Sequence, residues 1–165
     1  AINASLTGHL VLSTLHTNDA ATTLPRLLDM GIEEYLVAST VSIAIGQRLV
    51  RKICTHCKEK MEMTPALKES LVDTPFGKLV RDNHEFYVGR GCKKCNDSGY
   101  SGRICINEVL VADEAIREAI LRKASASEIR SLAIGRGMTT MFEDGFHKVE
   151  AGITTIEEIL RVARE

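Results

Sequence analysis

The chain has 165 residues, of which 44% are hydrophobic and 26% charged, and its net charge is −1. That is enough apolar material to bury the core of one domain or two small ones, which excludes a disordered chain; the weakly polar stretch Leu36 to Gly46 is broken by Ser39, Thr40 and Ser42 and is too short for a bilayer span, and no signal peptide is legible. The charge is uneven: Arg48 to Arg103 holds twelve Lys/Arg against seven Asp/Glu, residues 1–47 hold one against four, and residues 104–165 hold eight against eleven, the pattern of a module inserted into a larger scaffold.

Taken in chain order, AINASLTG opens without Met and reads as the tail of a helix, so the chain is expected to be a fragment. The run His9 to His16 (HLVLSTLH) is apolar and Thr-containing and suits a buried strand of a parallel sheet. Asn18 and Asp19 are N-cap candidates for a helix through ATTLPRLLDM, with Pro25 in its first turns and Gly31 as its stop. A second helix is expected over about Glu33 to Ala44, then a second strand over Gln47 to Cys54, giving an α/β order. Residues 54–103 are irregular by pattern, with a cysteine pair at each end. Beyond them, Ile104 to Val111 reads as a strand and three or four amphipathic helices follow. Ser125 with Glu128, Thr154 with Glu157 and Thr155 with Glu158 have capping-box spacing, and Gly137 and Gly152 mark helix ends.

Cys54 and Cys57 form one C-x2-C pair, Cys92 and Cys95 another, 34 residues apart. Two such pairs supply the closed tetrahedral thiolate shell of a structural Zn²⁺ site, with no open position for a catalytic water. Arg51, Lys52, Lys58, Lys93 and Lys94 would help hold the thiolates deprotonated. Two disulfides, four unrelated buried cysteines or a redox-active CxxC are the competing readings. Without a secretory signal a disulfide framework is disfavoured, and neither pair opens a helix in a thioredoxin-like setting. About 50 residues with little hydrophobic periodicity would need the metal in order to fold. Cys105, on an apolar strand, reads as a small core residue.

Thr14, His16, Thr17 and Asn18 close the first strand, and the carboxyl ends of strands in open α/β sheets are where ligands bind. His16 is therefore a site candidate, although a histidine here can equally cap the next helix or bond a carbonyl. His9 lies seven positions earlier, on the opposite face of a regular strand and roughly 23 Å away, so both cannot touch one phosphate.

The strings TGHLVLSTLHTNDA, RLLDMGIEEYLVAS, QRLVRKIC-x2-C, GCKKCNDSGYSGR and GMTTMFEDGFHKVEAGITTIEEILRV together resemble the type II secretion and type IV pilus assembly ATPases over nearly the whole chain. The insertion from about Met61 to Tyr87 departs from the family pattern. The resemblance implies the C-terminal part of a RecA-like ATPase core in 1–53, a tetracysteine zinc module in 54–103 and a strand plus helical subdomain in 104–165. The tetracysteine marks the assembly and secretion branch. The family's histidine box, a γ-phosphate sensor, falls on Thr14, His16 and Thr17, with His9 ranked second, and Gln47 and Arg48 match an element near the nucleotide cleft. Implied too are structural Zn²⁺, ATP and Mg²⁺ for the full-length protein, and a homo-hexamer. Its expected partners are an inner-membrane platform protein and the cytoplasmic domain of a membrane-anchored secretion or pilus component, with no nucleic acid. The expected location is cytoplasmic, peripheral on the inner membrane.

Nothing here matches G-x4-G-K-[ST], and no acidic-ended apolar strand precedes His9, so this chain unaided is expected not to hydrolyse ATP. Gly89 to Gly91 and Ser98 to Gly102 flank the second cysteine pair and read as knuckle turns. The other reading is a zinc-ribbon module that binds nucleic acid or docks a protein through its basic surface. An aromatic content of 4% gives little for single strands to stack on.

Overall fold

The computed structural model describes residues 1–62, 64, 69, 71, 74–79 and 84–163, so much of the expected 61–87 insertion lies outside the described residues. The elements are α1 (Ile2–Leu6), α2 (Ala20–Asp29), α3 (Glu34–Thr40), β1 (Ile43–Ile53), β2 (Lys58–Met61), β3 (Phe86–Gly89), β4 (Tyr100–Val111), α4 (Glu114–Leu121), α5 (Ala126–Gly135), α6 (Met141–Glu150) and α7 (Ile156–Ala163). β1 pairs with β4, and β2 pairs antiparallel with β3 from Lys58↔Gly89 to Met61↔Phe86. Among the described residues no helix is long and apolar enough to cross a membrane.

The helix boundaries follow local chemistry. The Asp19 side chain accepts the Thr22 N–H at 2.7 Å, so Asp19 caps α2, and Ser125 accepts the Glu128 N–H at 3.3 Å at the start of α5. Gly31, Gly137 and Gly152 follow helix ends with φ of +81°, +94° and +64°. Helix α3 is shorter than expected, ending at Thr40 rather than near Ala44, and β1 starts at Ile43 rather than Gln47. The Thr40 hydroxyl folds back onto the Leu36 carbonyl at 2.7 Å. The β-branched Val41 and Ile43 then favour extended backbone, and the Ser42 carbonyl accepts the Ala112 N–H at 2.9 Å, tying the chain to the end of β4. β4 likewise begins at Tyr100, four residues before the expected Ile104.

The largest departure is His9 to His16, which forms no strand. Leu10 and Leu12 are 89% and 88% exposed. A strand of the parallel kind exists only where neighbouring strands take up its backbone N–H and C=O groups. Among the described residues β1 and β4 pair with each other, as do β2 and β3, and none pairs with this segment. The apolar pattern is real, but it has no partner ladder.

The chain divides into two compact units, 1–47 with 108–140 and 48–107 with 141–165. The core of the first is rich in alanine, with Ala20, Ala21, Leu24, Val37, Leu110, Ile116, Ala119, Ile120 and Ile129 buried. Small side chains let its helices approach closely. The second is built on Phe76, Phe86 and Phe146 with Val50, Ile106, Val149, Ile156 and Ile159. Ring centroids of Phe76 and Phe86 lie 5.9 and 6.4 Å from that of Phe146, within the range of favourable aromatic pairs.

In the second unit the start of α7 is fastened to the end of β1. The Ile153 carbonyl accepts the Ile53 N–H at 2.8 Å, and the Thr154 hydroxyl donates to the Arg51 carbonyl at 2.8 Å. Glu158, 1% exposed, accepts at Oε1 from Arg51 Nη2 (2.6 Å) and Arg161 Nε (3.0 Å). Its Oε2 accepts from the Arg51 backbone N–H (2.9 Å) and Arg161 Nη2 (3.1 Å). Burial works against its charge, but the donors from Arg161 and Arg51 prevail and hold the carboxyl down to about 2. Because the folded value lies below the ordinary carboxylate value of about 4.3, this contribution to stability is present above that pH and is lost as pH falls towards 2. Glu158→Gln should therefore lower stability by about 2 kcal/mol at pH 7, read from urea midpoints. The gap between variant and parent should close between about pH 4.3 and about pH 2, and a gap undiminished at pH 2 would contradict the assignment.

Candidate metal centre

Cys54 follows β1, and Cys57 precedes β2. A 3₁₀ turn over Lys93–Cys95 places Cys92 and Cys95 between β3 and β4. Each pair makes a tight turn closed by a backbone hydrogen bond, and in the second pair a backbone N–H also points at a sulfur. Cys57 N–H donates to the Cys54 carbonyl at 3.3 Å, Cys95 N–H to the Cys92 carbonyl at 3.0 Å, and Cys92 N–H to Cys95 Sγ at 3.2 Å. Asn96 and Asp97 then take left-handed backbone at φ of 50° and 58°, which these residue types tolerate. The knuckles meet through backbone contact, the Gly99 carbonyl accepting the Cys54 N–H at 2.9 Å. Gly99 itself has φ +75°, and a Cβ on Gly89 would lie 2.0 Å from the Gly99 oxygen, so neither position admits a side chain.

The four sulfurs lie within 4.8 Å of one another, with Cys54 and Cys95 buried. The separations are 3.9 Å for Cys54–Cys92, 3.8 Å for Cys57–Cys95 and 3.7 Å for Cys92–Cys95. Zn–S bonds of about 2.3 Å in a tetrahedron put sulfurs about 3.8 Å apart, so the donor set fits that ion in both chemistry and spacing. All four cysteines are free, and these distances are nearly twice the roughly 2.05 Å of a disulfide. Burial raises both Cys57 and Cys95. At Cys57 it prevails, with the neighbouring sulfurs adding to it, and pushes the thiol up to about 12. At Cys95 it is overcome by the backbone N–H groups of Cys92 and Gly99 and by hydrogen bonds from Cys92 and Cys57, bringing the thiol down to about 6. Four sulfurs sharing one small space cannot all carry charge without a cation among them, and a divalent ion removes that conflict.

The basic residues credited with holding these thiolates are partly engaged elsewhere. The Arg51 guanidinium pairs with Glu158 and lies 4.2 Å from the Tyr100 ring centroid, and Lys58 lies 4.2 Å from that of Tyr87. Lys94 faces His56 at 3.4 Å. Backbone N–H groups do at Cys95 what sequence assigned to cations.

A family model described as "Type II/IV secretion system protein" matches residues 1–161. The chain belongs to the type II/IV secretion system protein family. Over 97% of its length it is 44% identical to the type IV pilus assembly ATPase PilB of Thermus thermophilus, and over its full length it is 42% identical to the type II secretion system protein HxcR of Pseudomonas aeruginosa. It is 41% identical, again over its full length, to the type II secretion system ATPase E of Vibrio cholerae. It spans 18%, 30% and 32% of the lengths of those three relatives. The X-ray structure of the Legionella pneumophila ATPase DotB matches 99% of this chain and 34% of its own at a TM-score of 0.57 and 23% identity, a likeness of fold.

In this secretion-system family member the other sequence-selected residues are not gathered as the cysteines are. His9 is exposed, with Nδ1 3.1 Å from the Thr7 hydroxyl, and Thr14 and His16 are exposed in the irregular segment. Thr17 is half-buried and shares a hydroxyl contact of 3.1 Å with Thr23 of α2. Gln47 is exposed and Arg48 half-buried on β1. Cys105 is half-buried on β4. Sequence reading missed Glu108 and gave Glu158 only a capping role, yet both are buried carboxylates whose partners lie 88 and 107 residues away. A charged residue inside an apolar strand was the one available signal for Glu108.

Because Cys54 adjoins Ile53 and Arg51, and Gly99 adjoins Tyr100, whose hydroxyl lies 2.9 Å from that of Thr155, the sulfur cluster is continuous with the fastening of α7. Zinc added to metal-stripped protein should slow amide hydrogen exchange at residues 51–54, 99–100 and 153–159 while leaving the α2 and α4 amides unchanged. Protection confined to the knuckles would break that link.

Proposed function

We propose that these residues are the C-terminal portion of a traffic ATPase that couples ATP hydrolysis to type II protein secretion or type IV pilus assembly. The observation that carries this reading is identity of 41–44% over 97–100% of the chain to relatives named as secretion and pilus-assembly proteins and ATPases. In this reading residues 1–53 complete a RecA-like core, residues 54–103 form the zinc module and residues 104–165 add a strand and the helical subdomain. Cys54, Cys57, Cys92 and Cys95 hold one structural Zn²⁺. The closed set of four thiolates gives the ion no substrate position, so it acts through folding.

His16 and Thr14, with Thr17 behind them, sense the γ-phosphate of ATP bound with Mg²⁺ to the rest of the protein. His9 ranks second, and Gln47 and Arg48 contribute from β1. The working form is a cytoplasmic homo-hexamer. It meets an inner-membrane platform protein and the cytoplasmic domain of a membrane-anchored component, and so lies at the inner membrane without spanning it. Binding of single-stranded nucleic acid is disfavoured by a specific feature: Tyr87 and Tyr100 in the basic segment each have a ring face against the protein's own Lys58 or Arg51.

The 165 residues contain no G-x4-G-K-[ST] and so lack the backbone cradle and lysine that hold phosphates. Metal analysis of the purified chain should find one zinc per chain, and a phosphate-release assay with ATP and Mg²⁺ should find no turnover. Metal-free protein, or hydrolysis by this polypeptide unaided, would overturn the reading.

A further inference from the structure

Glu108 lies on β4, is 2% exposed, and has no part in the roles proposed above. Its Oε1 accepts the backbone N–H of Ala20 at 2.8 Å. Ala20 is the first residue of α2, a ten-residue helix whose opening N–H groups have no partner within the helix and sit at its positive end. Gly46 of β1 completes the junction: a Cβ there would lie 3.0 Å from both Ala20 N and Glu108 Cγ. The carboxylate thus reaches the helix start through space that only a glycine leaves open.

Three further contacts converge on the same turn. Asp19 Oδ1 accepts from the Thr22 N–H and hydroxyl, each at 2.7 Å, and Asp19 Oδ2 lies 3.5 Å from Nη1 of Arg130 on α5. Thr17 shares its hydroxyl contact with Thr23. Residues 9–17 immediately before this turn have no strand partner among the described residues. On the C-terminal side of His16, side chains that arrive from β4 and α5 hold Asp19 and Ala20. Desolvation offsets much of the attraction that a buried carboxylate makes, and breaking such a contact releases the geometry it holds.

We propose that Glu108 is a positioning residue for the phosphate-sensing segment, holding the start of α2 and through it His16 and Thr17. The proposal rests on the sensor reading given above, and its test separates the two. In the full-length ATPase, Glu108→Ala, Glu108→Gln and Glu108→Asp are each made alone and with His16→Ala, and kcat, KM and Tm are measured. Glu108→Ala should lower kcat about tenfold or more while KM stays within about twofold, as expected for a displaced group that matters at the transition state. Glu108→Gln retains an oxygen acceptor at the same reach and should recover most of the loss. Glu108→Asp keeps the charge but is one methylene short, and should resemble Glu108→Ala. Adding Glu108→Ala to His16→Ala should cost no further kcat, because both changes remove one function.

A lowered Tm with normal kcat, full additivity with His16→Ala, or Asp outperforming Gln would overturn the positioning role and leave the sensor intact. The comparison of Gln with Asp still decides if the alanine variant fails to fold. An unchanged kcat in His16→Ala would overturn the sensor reading and this proposal together.

Discussion

Four cysteine sulfurs held at the edge length of a zinc tetrahedron set the terms for the unit formed by residues 48–107 and 141–165. The stretch between the two pairs is polar and lysine-rich, and its knuckles are turns made of backbone hydrogen bonds rather than apolar packing. Phe76 and Phe86 from this stretch enter the core of the unit, whereas the knuckles themselves have little apolar packing, and a shared metal supplies what their side chains do not. The cluster also sits where β1 ends and β4 is about to begin, so the Cys54–Gly99 bond closes that ribbon from the same few residues that fasten α7.

The two compact units obtain their stability differently. In the first, alanine at Ala20, Ala21, Ala119 and Ala133 lets helix backbones approach, and much of the specificity comes from polar fasteners at helix starts: Asp19 and Glu108 on α2, and Asp113, which accepts the Ile116 N–H at 3.1 Å, on α4. In the second, large aromatic side chains fill the core, and Glu158 gathers two arginines and a backbone N–H at its edge. Both units are assembled from stretches far apart in sequence, which makes their contacts non-local and costly in loop entropy until the ends meet.

What was legible in the sequence was the chemistry that acts within a few residues. C-x2-C spacing foretold the cysteine cluster because the knuckle is a local turn, and Asp19, Ser125 and Thr155 foretold their helix starts because capping reaches only two or three residues ahead. What was illegible depends on a distant partner. Glu158 spaced like a capping residue, but its carboxylate goes to Arg51 and Arg161. The pattern from His9 to His16 reported a preference for extended, half-apolar backbone, and a preference becomes a strand only beside another strand. The end of α3 was misplaced because apolar residues continue past Thr40, and periodicity cannot tell the last helical turn from the first residues of β1.

The second unit depends on the tetrathiolate metal shell. X-ray absorption at the zinc edge on the purified protein measures it most directly. Four sulfur scatterers at about 2.3 Å and no nitrogen or oxygen neighbour are expected. A mixed shell, or sulfur with a sulfur neighbour at about 2.05 Å and no metal, would contradict this expectation.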